Sequence, residues 1–125
     1  MNELEGFVIE GGRAVYRPVG SVSFTELAAL VRAAIAAARS NQAKDLLVDT
    51  TGLTGFRSPS TSRRFFAVEE WAKEARGIVP LALVVRPELI DPQKFGVTVA
   101  ANRGLDGNIF STEAEARAWL DSRLR

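Results

Sequence analysis

The chain contains no cysteine and no histidine among its 125 residues. Without cysteine there is no disulfide, no thiolate nucleophile and no thiolate metal site. Without histidine the usual neutral-pH base, the Ser-His-Asp triad and imidazole zinc ligation are excluded as well. Charge of one sign is not in excess: 16 basic and 15 acidic residues leave a formal net charge of +1. No global field therefore draws the protein onto nucleic acid or an anionic membrane. No apolar run approaches the roughly 18 residues that a membrane helix needs. The start, Met1 to Gly6, has neither the basic n-region nor the apolar h-region of a signal peptide. What remains is 46% hydrophobic and 25% charged, the balance of a soluble globular domain. A chain of this length builds one core. The expectation is a cytoplasmic protein that neither binds nucleic acid nor inserts into a membrane.

The hydrophobic period alternates between two and 3.6, as strands and helices in turn require. Phe7, Val8 and Ile9 give a first strand, Gly11-Gly12 a turn, and Ala14 to Val19 a second strand, so the chain opens on a hairpin. Ser23-Phe24-Thr25-Glu26 is a capping box, followed by Leu27, Leu30, Val31, Ala34 and Ile35 at helical spacing. Lys44 to Asp49 and Val79 to Val85 read as buried parallel strands. Between them a helix over roughly 60–76 carries Phe65, Val68, Trp71, Ala72 and Ala75 on its apolar face, with Gly77 as its stop. Asp91 as cap and Pro92 at the first helical position predict a third helix closed by Gly104. Asn108-Ile109-Phe110 is a last strand, and Thr112-x-x-Glu115 caps a final helix with Ala116, Trp119, Leu120 and Leu124 buried. The order β-β-α-β-α-β-α-β-α predicts one α/β domain over residues 1–125. Its sheet has about five strands, mostly parallel, with one antiparallel strand from the hairpin, and is covered by helices.

One stretch gathers chemistry. DTTGLTGFRSPSTSRRFF, residues 49–66, leads from a strand end through Gly52 into the second helix. A helix N-terminus favours an anion through its free amides and partial positive charge, so Asp49, Arg57, Ser58, Ser60, Arg63 and Arg64 form a candidate anion- or ligand-binding set. The same residues have a plainer reading: Ser58 or Ser60 as N-cap, Pro59 setting the first turn, arginines in solvent, and Asp49 bonding the turn amides near Gly52. Phe65, Phe66 and Trp71 are a candidate apolar ligand or dimer face, because adjacent phenylalanines on a helix point about 100° apart and cannot both face one surface squarely; the plainer reading packs both phenylalanines into the core. Asp45, Asp49, Glu69, Glu70 and Asp91 form no spacing that acid-base catalysis demands. The glycines of GLTG lack the lysine and length of a phosphate loop. No cofactor, no metal and no enzymatic activity are expected.

Three passages together resemble the STAS superfamily of anti-anti-sigma-factor-like domains, in its small stand-alone branch. They are GSVSFTELAAL after the hairpin, LLVDTTGLTGFRSPS after the third strand, and IFSTEAEARAWL at the end. The resemblance implies a non-enzymatic regulatory or protein-interaction module, with a protein partner or a second copy of itself as a homodimer. It places Ser58 on a phosphoacceptor at the second helix. Beside it the pattern departs: Arg57 stands where an acid is usual, Pro59 follows, and Ser60 replaces a glycine. The alternative expectation is a carrier or sensor of a small apolar or anionic, lipid-like ligand near the second helix.

Overall fold

Two consecutive glycines of positive φ, Gly11 at 58° and Gly12 at 85°, turn the chain between β1 (Phe7–Glu10) and β2 (Arg13–Tyr16) in the computed structural model, which describes residues 4–123. Positive φ at both turn residues matches the right-handed twist of a two-residue hairpin, and glycine adopts it without a steric penalty. Glu10 therefore faces Arg13, and the two strands run antiparallel. Pro18 falls beyond the end of β2, where its missing amide costs the ladder nothing.

After β2 come β3 (Gly20–Ser21), α1 (Phe24–Ser40), β4 (Asp45–Asp49), β5 (Leu53–Thr54) and α2 (Thr61–Ala75). The chain then forms β6 (Leu81–Val84), α3 (Phe95–Asn102), β7 (Gly107–Phe110) and α4 (Glu113–Ser122). The main sheet has five strands in the order β1-β2-β4-β6-β7, with every pair from β2 onward parallel. The protein is thus a single α/β domain with a mixed, mostly parallel sheet. A two-stranded parallel ladder, β3 with β5, sits beside it. Neither of these two short strands is legible in the hydrophobic pattern.

The strand order runs across the sheet without reversing, and this decides where the helices go. Right-handed crossovers that always step the same way place every connecting helix on one face. Accordingly α1, α2 and α3 cover the face carrying Ala14, Tyr16, Leu46, Val48 and Leu81. The other face, with Val15, Leu47, Ala82 and Val84, is left to α4, which seats Ala116 and Leu120 on it. Leu124, expected on the same helix face, lies outside the described residues.

Local chemistry fixes the helix starts. Ser23 Oγ accepts from the Glu26 amide at 3.1 Å while Glu26 Oε1 accepts from the Ser23 amide at 2.8 Å, the reciprocal box that the sequence predicts. Of the two serines proposed to cap α2 it is Ser60 that does so, accepting from the Arg63 amide at 3.3 Å. The α2 stop shifts by a residue: Arg76 takes the left-handed conformation at φ 54° and Gly77 follows at φ 69°. The start of α3 is corrected more substantially. Pro92 is not its first residue, because residues 91–94 form a separate turn closed by Lys94 N to Asp91 O at 2.9 Å. Asp91 still caps the helix, its Oδ2 accepting from the Phe95 amide at 2.7 Å, but across four residues rather than directly. One further glycine is sterically required. A Cβ on Gly55, whose φ is 93°, would stand 2.5 Å from Ser21 Oγ, where the β3–β5 ladder closes.

Candidate functional site

Three helices on one face must share the sheet, and α3 is only two turns long. α2 lies across α1 and α3. A cavity of about 110 Å³ remains between α2, α3 and the sheet. Its floor is Leu81, Leu83 and Val85, and its walls include Val68 and Trp71 of α2 and Val97 and Ala100 of α3. Leu83 is diagnostic. It belongs to an inner strand, yet it is only half-buried, whereas its neighbours Ala82 and Val84, on the α4 face, are sealed. The lining runs from Leu81, Leu105 and Gly107 at the amino ends of β6 and β7 to Thr50 and Val85, just beyond the carboxyl ends of β4 and β6.

Few polar groups reach it. Thr50 commits its hydroxyl to Val84 O at 3.0 Å. Arg64, half-buried at the first turn of α2, donates Nη2 to Ser58 Oγ at 2.6 Å and Nη1 to Leu89 O at 3.4 Å. Lys94, in the left-handed conformation at φ 50°, donates Nζ to Asn108 Oδ1 and Ile109 O, both at 3.3 Å, and lies 5.6 Å from the Phe110 ring centroid. Asp91 is the one carboxylate in the lining. Lys94 holds this left-handed backbone where the turn over residues 91–94 passes into α3.

No match emerged when the chain was compared with protein-family models, with curated proteins and with solved structures. The reading of the site therefore rests on its geometry alone.

The residues singled out in the sequence do not converge on one point. Arg63 Nη2 donates to Thr25 Oγ1 at 3.2 Å, tying α2 to α1, and Arg57 and Ser58 are exposed. Asp49 accepts from the Thr51 amide at 2.9 Å and its hydroxyl at 2.7 Å, the turn role expected of it. By strand alternation Asp49 shares the α4 face with Leu47, away from the cavity. Of the six residues in the candidate anion set, only Arg64 lines the cavity. The two phenylalanines diverge, which corrects the plainer expectation that both pack into the core: about 100° apart on the helix, only one of them reaches it. Phe65 packs on the core beneath the Arg103 guanidinium at 5.5 Å, while Phe66 is 63% exposed. Neither walls the cavity, whereas Trp71 does, buried and donating Nε1 to Ala28 O at 3.0 Å. Phe66 and Trp71 also line a shallow outer groove between α1 and α2. Among the described residues no group of three or more acidic side chains could hold a metal, and no helix is long and apolar enough to cross a membrane.

Two polar clusters escaped the sequence. At the amino ends of β2 and β4, Arg13 is bidentate to Asp45 at 2.7 and 3.1 Å and reaches Asp121 at 2.8 Å. Arg13 and Asp45 are both buried, and the hydrogen bond to Asp45 raises the guanidinium's pKa further against the opposing effect of burial. The register Arg13↔Asp45 creates this contact, and no single-strand pattern announces it.

At the other end of the sheet Arg17 holds Glu113 in a bidentate pair at 2.8 and 2.9 Å. That bond, helped by Asp49 and Arg117 and opposed by partial burial, lowers the Glu113 pKa from 4.5 to about 2. A carboxylate with a depressed folded pKa stabilises the fold above its unfolded value and loses that contribution as pH falls towards the folded one. The window here lies between pH 4.5 and about 2. Arg17 is nearly half exposed, so solvent screening keeps the contribution below about 1 kcal/mol. Urea denaturation across this window should show a shallower loss of stability for Glu113→Gln than for the parent. Parallel pH profiles would refute the pairing.

Proposed function

We propose that this domain is a small-molecule-binding module whose cavity receives an apolar group about the size of one aromatic ring. The observation that supports this reading is the half-buried Leu83, an inner-strand side chain left facing a gap of about 110 Å³. Dry apolar cavities of about 150 Å³ hold benzene in other proteins, so the size fits a fragment and not an enclosed long acyl chain. The lipid-like part of the alternative expectation is accordingly narrowed to a short apolar body. Burying about six carbons at about 0.8 kcal/mol each gives a Kd of the order of 0.1–1 mM. Toluene added to isotopically labelled protein should shift amide resonances saturably at Val68, Val97, Ala100 and Leu105, leaving α4 unmoved. Shifts that stay linear up to the solubility of toluene, or that spread over the surface, would remove the reading.

A second reading, the STAS-like regulatory module, is favoured by one observation: exposed Ser58 already lies 2.6 Å from the Arg64 guanidinium, which would pair with a phosphate there. Its partner surface would be the α1–α2 groove beside exposed Phe66, used by another protein or by a second copy. Intact-mass analysis of protein from its native host tests it, since consistently unmodified protein together with a silent Ser58→Ala would end it.

A further inference from the structure

The geometry points to a monoanionic ligand: a carboxylate carried on a short apolar body, with the carboxylate met by Arg64 and Lys94. This rests on the cavity reading and specifies its ligand. Both cations line the cavity, and among the described residues neither takes part in an ion pair. Their hydrogen-bond partners are neutral oxygens: Ser58 Oγ and Leu89 O for Arg64, Asn108 Oδ1 and Ile109 O for Lys94. A guanidinium has five donors and an ammonium three, so each retains donors for an incoming oxygen. Most of the other basic side chains are already matched, including Arg13, Arg17, Arg39, Arg103 and Arg117. Lys44, Arg57, Arg63 and Arg76 are likewise outside the ion pairs above, but none of them lines the cavity.

The charge balance selects the ligand's valence. Two cations face one lining carboxylate, Asp91, one of whose oxygens is engaged on the Phe95 amide. The net single positive charge suits a carboxylate, whereas a dianionic phosphate would stay half compensated. Arg86, next to the lining residue Val85, is balanced by Glu88 and leaves this count unchanged. Its guanidinium lies 5.9 Å from the ring of Phe56, which also lines the cavity. Its buried Nε has no hydrogen-bond partner, and Glu88 is 3.8 Å away.

The test compares two isosteres, phenylacetate and phenylacetamide, by NMR titration of the whole chain. Phenylacetate should bind at least about tenfold more tightly at low salt, since a charge-assisted hydrogen bond exceeds a neutral one by about that margin. Added sodium chloride should shrink the difference. Arg64→Met and Lys94→Asn should each weaken phenylacetate several-fold more than phenylacetamide, so that the preference shrinks. Asparagine is chosen at 94 because it tolerates the left-handed backbone, which keeps α3 anchored. Equal affinity of the two probes in the parent, or an undiminished preference in both variants, overturns this inference and leaves the cavity reading standing. Binding of neither probe, with toluene also silent, overturns both.

Discussion

Asp45→Ala should lower the unfolding free energy by about 3–5 kcal/mol, the largest loss expected from any single charged residue in the protein. The substitution leaves Arg13 buried, with Nε and one Nη2 bond deprived of their acceptor, inside a sheet from which water is excluded. Asp121 cannot take over. Its side chain is 63% exposed, and it meets only Nη2 at 2.8 Å. For a domain of this size the melting temperature should fall by more than about 10 °C. The penalty comes from the orphaned charge and not from loss of attraction, which gives a sharper second arm. Arg13→Met combined with Asp45→Leu should recover most of the loss, because an apolar pair of similar volume escapes desolvation. Urea denaturation of the three variants decides it. Asp121→Asn should cost less than about 1 kcal/mol as an exposed partner. A double variant no more stable than Asp45→Ala would show that the pair contributes geometry that packing cannot replace.

That clamp also marks where a single sequence stops being informative. Within one strand or helix, physics is local and visible: the Ser23–Glu26 box, the glycine hairpin and the apolar stripe of α1 depend on residues a few positions apart. Those signals gave the order of the main elements and, through crossover handedness, the parallel sheet. Register between strands depends on residues 32 positions apart, as for Arg13 and Asp45, and no periodicity encodes it. The site was partly legible for the same reason. Arg64 and Trp71 stood out as a helix-start cation and a large aromatic, and both line the cavity. Lys94 and Leu83 did not. Lys94 reaches the cavity wall from a turn that no periodicity announces, and Leu83 looks like any strand leucine until the short α3 leaves it uncovered. The hydroxyls and arginines at 57–64 are contiguous in sequence, but they turn to different neighbours: Arg63 to α1, Ser60 to its own helix, Arg64 to the cavity and Ser58.

Trp71→Ala should cost about 3–5 kcal/mol, close to the Asp45 effect but by a different cause. The indole is 6% exposed, lines both the cavity and the outer α1–α2 groove, and bonds Ala28 O across the helix pair. Removing it deletes apolar burial, forfeits one hydrogen bond and adds volume where the two spaces share a wall residue. Trp71→Phe should retain most of the stability, losing the hydrogen bond at about 1 kcal/mol and a little volume. The enlarged space supplies an independent check. Naphthalene, too large for the parent cavity, should bind the alanine variant and raise its melting temperature in a saturable, concentration-dependent way. The parent should not respond. If the alanine variant is too unstable to purify, Trp71→Leu creates a smaller void and permits the same naphthalene titration. Stabilisation by naphthalene in both proteins, or in neither, would mean that Trp71 is packing for the helix pair and not the partition between cavity and groove.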